Sequence, residues 1–171
     1  TEYLNAVLLY SLLQKQAHDF HLRLRPVRIA MPVNLRRFFP SKTLRNFITM
    51  VYPSIDPRLG DYTFEEIVTQ VHHYMRYYIN SKFLRGDITT NASTQRNPLI
   101  RIVPLFLKDF VVRQFYQRVQ DKNSSAGLTN MGAIRVPDDM KPYLERFDIY
   151  MGIPYSQRTN CAIVSFEDTL T

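Results

Sequence analysis

Tryptophan is absent from this chain, cysteine appears once, and glycine only five times in 171 residues. The lone Cys161 excludes a disulfide framework and a thiolate metal cluster. It lies in the apolar, strand-like run 160–166, where a buried and inert thiol is expected. Scarce glycine excludes collagen-like and low-complexity architectures. No apolar stretch reaches the length of a transmembrane helix and no signal peptide is seen, so no integral membrane segment is expected. A reducing, cytoplasmic setting fits. Blocks of basic residues are missing too: the 22 Lys and Arg are interspersed, which reads as a solvated face rather than a nucleic-acid tail.

What the chain does have is apolar bulk. Eleven Tyr, eleven Phe and a hydrophobic content of 45% suffice for one real core in a single domain. The net charge of +7 favours an anionic partner, such as a phosphate-bearing cofactor, nucleic acid or an acidic surface.

Hydrophobic spacing predicts an α/β layered lobe, a mixed β-sheet packed by helices on one side. Helices are expected over 2–18, 63–84 and 99–120, and strands over 27–34, 47–56, 125–132, 145–151 and 160–167. Thr63 and Glu66 have capping-box spacing, and Gly86-Asp87 is expected to stop that helix before a polar loop from Thr89 to Asn97. Pro32 hints that the first strand lies at an edge or ends there. The last two strands are joined through 152–158 in a hairpin-like connection.

One stretch stands out chemically. In Ser124-Ser-Ala-Gly-Leu-Thr-Asn-Met-Gly132 a hydroxyl and an amide, Thr129 and Asn130, sit side by side between two glycines. Gly127 and Gly132 permit φ > 0 or a close backbone approach. The stretch reads either as a strand end closed by a satisfied polar turn or as a strand presenting hydrogen-bond donors to a substrate channel.

Several segments together resemble the C-terminal lobe of the chloramphenicol acetyltransferase-like superfamily of CoA-dependent acyltransferases, in its alcohol acetyltransferase and condensation-domain branch. Asn5-Ala-Val-Leu-Leu9 is similar to the helix that opens that lobe, and Met31-Pro-Val-Asn-Leu-Arg36 to the strand end that follows. Asn46-Phe47 is similar to the start of the next strand, and Leu128-Thr-Asn-Met-Gly132 to a Ser-Asn-Leu-Gly stretch of alcohol acetyltransferases. Order and spacing agree along nearly the whole chain.

The resemblance implies a fold of two lobes and general-base chemistry. A histidine of a His-His-x-x-x-Asp-Gly motif takes the proton from an acceptor, which attacks an acyl thioester. That motif belongs to the other lobe. His72-His73 does not supply it, since Tyr77 and Tyr78 stand where Asp and Gly belong; these histidines are expected on a helix surface. The chain 1–171 is thus expected to be one lobe, inactive alone, partnered by its own N-terminal lobe and a small-molecule acceptor, with acyl-CoA as co-substrate.

Site expectations follow from the resemblance. Thr129 and Asn130 are candidates for lining the channel or for the oxyanion donor, worth about 3–4 kcal/mol when well placed. Asn34, Arg36 and Gly132 form the structural motif, with Arg36 anchoring a loop through a carboxylate. Arg135, Lys141, Lys42 and Arg158 are unranked candidates for the CoA phosphates. No metal is expected: His18 and His21 are spaced like ligands but lack a third. The alternative function is a degenerate, non-catalytic interaction domain that binds a carrier protein or partner. A nucleic-acid binder, suggested by Arg76-Tyr-Tyr78, lacks any recognised binding motif, and nucleic acid is not an expected partner.

Overall fold

Strand β1 (Val27–Asn34) is the axis of the sheet, with neighbours along both flanks. The computed structural model describes residues 1–19, 23–96, 104–105, 107–110, 113–114, 124–152 and 159–171. On one side β1 pairs antiparallel with β2 (Ile48–Val51) and β3 (Ser54–Ile55). On the other it runs parallel to β4 (Ala126–Ala133), which runs parallel to β5 (Asn160–Phe166). A two-residue strand, β6 (Thr169–Leu170), closes back on β5. The result is a mixed six-stranded sheet in the order β2-β1-β4-β5-β6, with β3 off that path.

Helix α1 (Glu2–His18) and helix α2 (Phe64–Tyr78) cover one face of it. Odd-numbered β1 residues Val27, Ile29, Met31 and Val33 meet Ala6 and Leu9 of α1 and Ile67, Val71 and Met75 of α2. Leu128 and Ile163 extend that core across β4 and β5. Each large side chain so buried contributes about 1.5–3 kcal/mol. Asn5 of α1 is wholly buried among them. Its amide donates to the Met31 sulfur at 3.7 Å, and its Oδ1 has no hydrogen-bond partner among the described residues.

The start of α2 has the expected capping box. Thr63 Oγ1 accepts from the Glu66 N–H at 3.3 Å, and Glu66 accepts from the Thr63 N–H at 2.8 Å. Its end differs from expectation. Helix α2 stops at Tyr78, and Asn80 caps a new helix, α3 (Ser81–Arg96), by accepting from the N–H groups of Lys82 and Phe83 at 3.0 Å. The helix runs past Gly86 and through the stretch expected as a loop from Thr89; an N-cap contributes about 1 kcal/mol, enough to offset the similar cost of a single interior glycine. Of the helix expected over 99–120, residues 105, 107–110 and 113–114 are described and are helical; the remainder lies outside the described residues, as do residues 153–158 of the hairpin-like connection.

The strand expected over 145–151 is not formed. Its alternation holds for Phe147 and Ile149, half-buried between exposed neighbours, and Phe147 packs edge-on against Phe166 at 5.1 Å. Alternation therefore records packing onto the sheet rather than membership in it. No helix among the described residues is long and apolar enough to cross a membrane.

Candidate functional site

Strands β1 and β4 start as neighbours and then part. Their pairing covers only Ile29↔Ala126 and Ala30↔Gly127, whereas β4 stays with β5 from Gly127 to Ala133. Two local features of the sequence cause the separation. Ile29 and Leu35 donate their N–H groups to Pro53 and Phe47 on the β3 and β2 side. The even-numbered N–H groups of β1 thus face β4, as Arg28 shows by donating to Ser125 Oγ at 3.2 Å. Pro32 lacks the N–H that would hold β4 two residues further on. The edge expectation for Pro32 is thus corrected in detail: the proline is central in the sheet, at the point where one flank is open.

The second feature lies in β4. Asn130 pairs with Ile163 and Gly132 with Val164, so Met131 is the extra residue of a bulge. Gly132 has φ +76, a left-handed conformation that side chains resist. A bulge bends its strand and increases the twist, which turns β4 away from β1. Gly127, by contrast, is an ordinary buried strand residue without positive φ.

Where the strands part lies a cleft of ≈ 750 Å³, lined by Thr1, Met31, Pro32, Val33, Asn34, Arg36, Arg37, Phe38, Asn46, Ile48, Met75, Ile79 and Thr129 to Gly132. Thr129, Asn130, Asn34, Arg36 and Gly132, singled out from sequence, are all in its wall. Met75, Ile79, Phe38 and Arg37 were not foreseen there; the helical spacing of the first two signals core, and nothing in the sequence says that a cleft reaches that core.

The two central polar residues have different environments. Asn130 Nδ2 donates to Thr1 Oγ1 at 2.8 Å, and Asn130 Oδ1 accepts from the Gly132 N–H at 2.8 Å. Its amide therefore ties the bulge of β4 to the start of α1, on the helix-covered face. Strand alternation turns Thr129 to the opposite face, that of Pro32 and Asn34. Thr129 is half-buried, and its hydroxyl makes no hydrogen bond among the described residues. Of the pair, Thr129 has its whole hydroxyl unspent among the described residues, whereas the Asn130 amide is held at both its oxygen and its nitrogen.

Arg36 anchors a loop, but not through a carboxylate. Its guanidinium donates to the carbonyls of Thr43 and Arg45 at 2.9 and 2.7 Å, while Asn34 Oδ1 caps the turn by accepting from the Arg36 N–H at 3.0 Å. Backbone carbonyls of a loop that folds back over the turn fill the place expected for an acidic partner. Among the described cleft-lining residues there is no Asp or Glu.

Both tandem histidines are on the surface of α2. His72 Nδ1 lies 2.8 Å from Glu2 Oε2 and links α2 to α1. His73 borders a smaller pocket of ≈ 240 Å³ with Pro53, Ser54, Gln70, Val71 and Tyr74, again without a carboxylate among the described residues. Burial pushes the Tyr74 phenol above its ordinary value, and its oxygen accepts from the Tyr52 N–H at 3.0 Å. Of the basic residues considered for phosphate contacts, Lys141 is paired with Asp138, whose hydrogen bond raises the lysine and lowers the carboxyl. Lys42 and Arg135 are exposed and outside the cleft wall, and Arg158 lies outside the described residues. His21 also lies outside them; among the described residues no three potential ligands cluster as a metal site. Comparison of the chain with known protein families, curated proteins and solved structures finds no match.

Proposed function

We propose that this chain is one lobe of an acyltransferase that moves an acyl group from a thioester, of CoA or a carrier, to an alcohol or amine acceptor. One observation carries the reading. Three segments that resemble the acyltransferase lobe border one cleft: Met31 to Arg36 and Asn46, neighbours in sequence, and Thr129 to Gly132, far from both. A fourth, at Asn5, sits directly behind Met31.

In this reading the general base belongs to a second lobe that closes over the cleft. A histidine there takes the acceptor proton, the freed oxygen or nitrogen attacks the thioester carbonyl, and the tetrahedral adduct collapses with cleavage of the C–S bond. The histidine's proton passes to the leaving thiolate. The Thr129 hydroxyl faces the developing oxyanion, and Asn130 holds the strand that presents it.

The test uses the full-length protein, acetyl-CoA and a panel of alcohols and amines, with ester or amide product identified by mass spectrometry. Product from the full-length protein and none from residues 1–171 alone is the expected result. A full-length protein that forms no product with any acceptor, and whose remaining sequence lacks His-His-x-x-x-Asp-Gly, would leave the non-catalytic interaction domain as the function.

A further inference from the structure

The cleft has a charge asymmetry that acyl transfer by itself does not require. Among the described residues, two arginines and no carboxylate line it. Arg36 is committed to the carbonyls of Thr43 and Arg45. Arg37 is not: among the described residues its guanidinium makes no ion pair and no hydrogen bond. Its backbone is nonetheless held in place. It belongs to the single helical turn Leu35–Arg37, capped by Asn34 at the start and closed by Phe38 and Phe39 N–H groups donating to the Leu35 carbonyl at 3.0 and 2.9 Å. A five-donor cation is therefore fixed at its root on the cleft wall with its fork unspent.

The rest of the wall is mostly apolar, including Met31, Phe38, Ile48, Met75, Ile79 and Met131. Methionine adapts to irregular apolar ligands, and ≈ 750 Å³ falls in the range of small-molecule pockets. We propose that Arg37 is the anion-binding residue of this cleft, and that the molecule seated there carries a carboxylate or phosphate on an apolar body. The inference rests on the cleft being the substrate channel proposed above and names the chemistry of what enters it. The anion has two possible sources: a carboxylate on the acceptor or a phosphate on the thioester donor.

Binding to the full-length protein, measured by calorimetry, tests this without any transfer reaction. The probes are decanoate, decyl phosphate, decanol and coenzyme A, and the proteins are the native form, R37Q, and R85Q as an exposed control outside the cleft. A charge-assisted fork at a solvent-facing site gives about tenfold in affinity. Decanoate and decyl phosphate are expected to bind about tenfold more tightly than decanol, with R37Q removing that advantage and leaving decanol unchanged. If R37Q weakens decanoate but not coenzyme A, the anion is the acceptor's; if it weakens coenzyme A as well, it is the donor's phosphate. The proposal is overturned if R37Q alters neither the anionic probes nor coenzyme A, if R85Q weakens them equally, or if none of the four binds. An R37Q protein with native affinities leaves the transfer reading standing, whereas a full-length protein without transferase activity does not alter the affinities on which this proposal is judged.

Discussion

Replacing Asn130 with alanine should cost stability before it costs chemistry. The side chain makes two hydrogen bonds of 2.8 Å, one from the part-buried Gly132 N–H and one to Thr1 Oγ1. Each is worth about 0.5–1.5 kcal/mol net, and the N–H left without a partner brings the loss toward the upper end, for a total of about 1–3 kcal/mol. In a chain of 171 residues that corresponds to a fall in Tm of about 3–8 °C. Asn130→Asp is the informative companion. An aspartate oxygen still accepts from Gly132, and another accepts from the Thr1 hydroxyl, so less than half of the loss is expected. Urea unfolding followed by circular dichroism gives both numbers. If Asn130→Ala unfolds at the native midpoint, or if the aspartate variant loses as much as the alanine variant, Asn130 is not the brace of the bulge.

Two further outcomes follow from the same geometry. Gly132→Ala should lose about 1–2 kcal/mol from backbone strain alone, because φ is +76 and nothing lies within 4 Å of the added carbon; Gly132→Asn should lose less, and equal unfolding midpoints for the alanine variant and the native chain would contradict the assigned backbone. Tyr74 should ionise late. Burial raises its phenol above the unfolded value of about 10, so the neutral form is favoured on folding: that stability is fully present below the unfolded value and is lost as pH rises through the raised one. Alkaline absorbance titration should show one tyrosine ionising after the exposed ones, and Tyr74→Phe should remove it and flatten the alkaline loss of stability.

Much of the scaffold is legible in the sequence because it rests on local signals. Thr63 and Glu66 announce the start of α2, and the apolar run from Val27 announces β1. Failures came where a local signal met a competing partner. The Asn80 cap restarts a helix that Gly86 was expected to end, and Phe147 alternates with exposed neighbours because it packs on Phe166, not because it pairs in the sheet. The site was legible in part: polar residues between glycines are conspicuous in Thr129 to Gly132. That Asn130 and Thr129 serve different ends depends on strand register and on Thr1, a contact across 129 positions, which no local pattern contains. The cleft itself needs Pro32 and the Gly132 bulge to act from two different strands on the space between them.

The most direct measurement is the turnover of full-length Thr129→Ala, read beside Thr129→Ser and beside the unfolding midpoint of each. The Thr129 hydroxyl has no hydrogen bond to lose among the described residues, so stability should stay within about 0.5 kcal/mol of native. If it meets the oxyanion, kcat for acyl transfer should fall by about a hundredfold or more in the alanine variant, with KM little changed, and the serine variant should recover most of it. Full turnover in Thr129→Ala would contradict the account and would make the parting of β1 and β4 a feature of the fold rather than the seat of its chemistry.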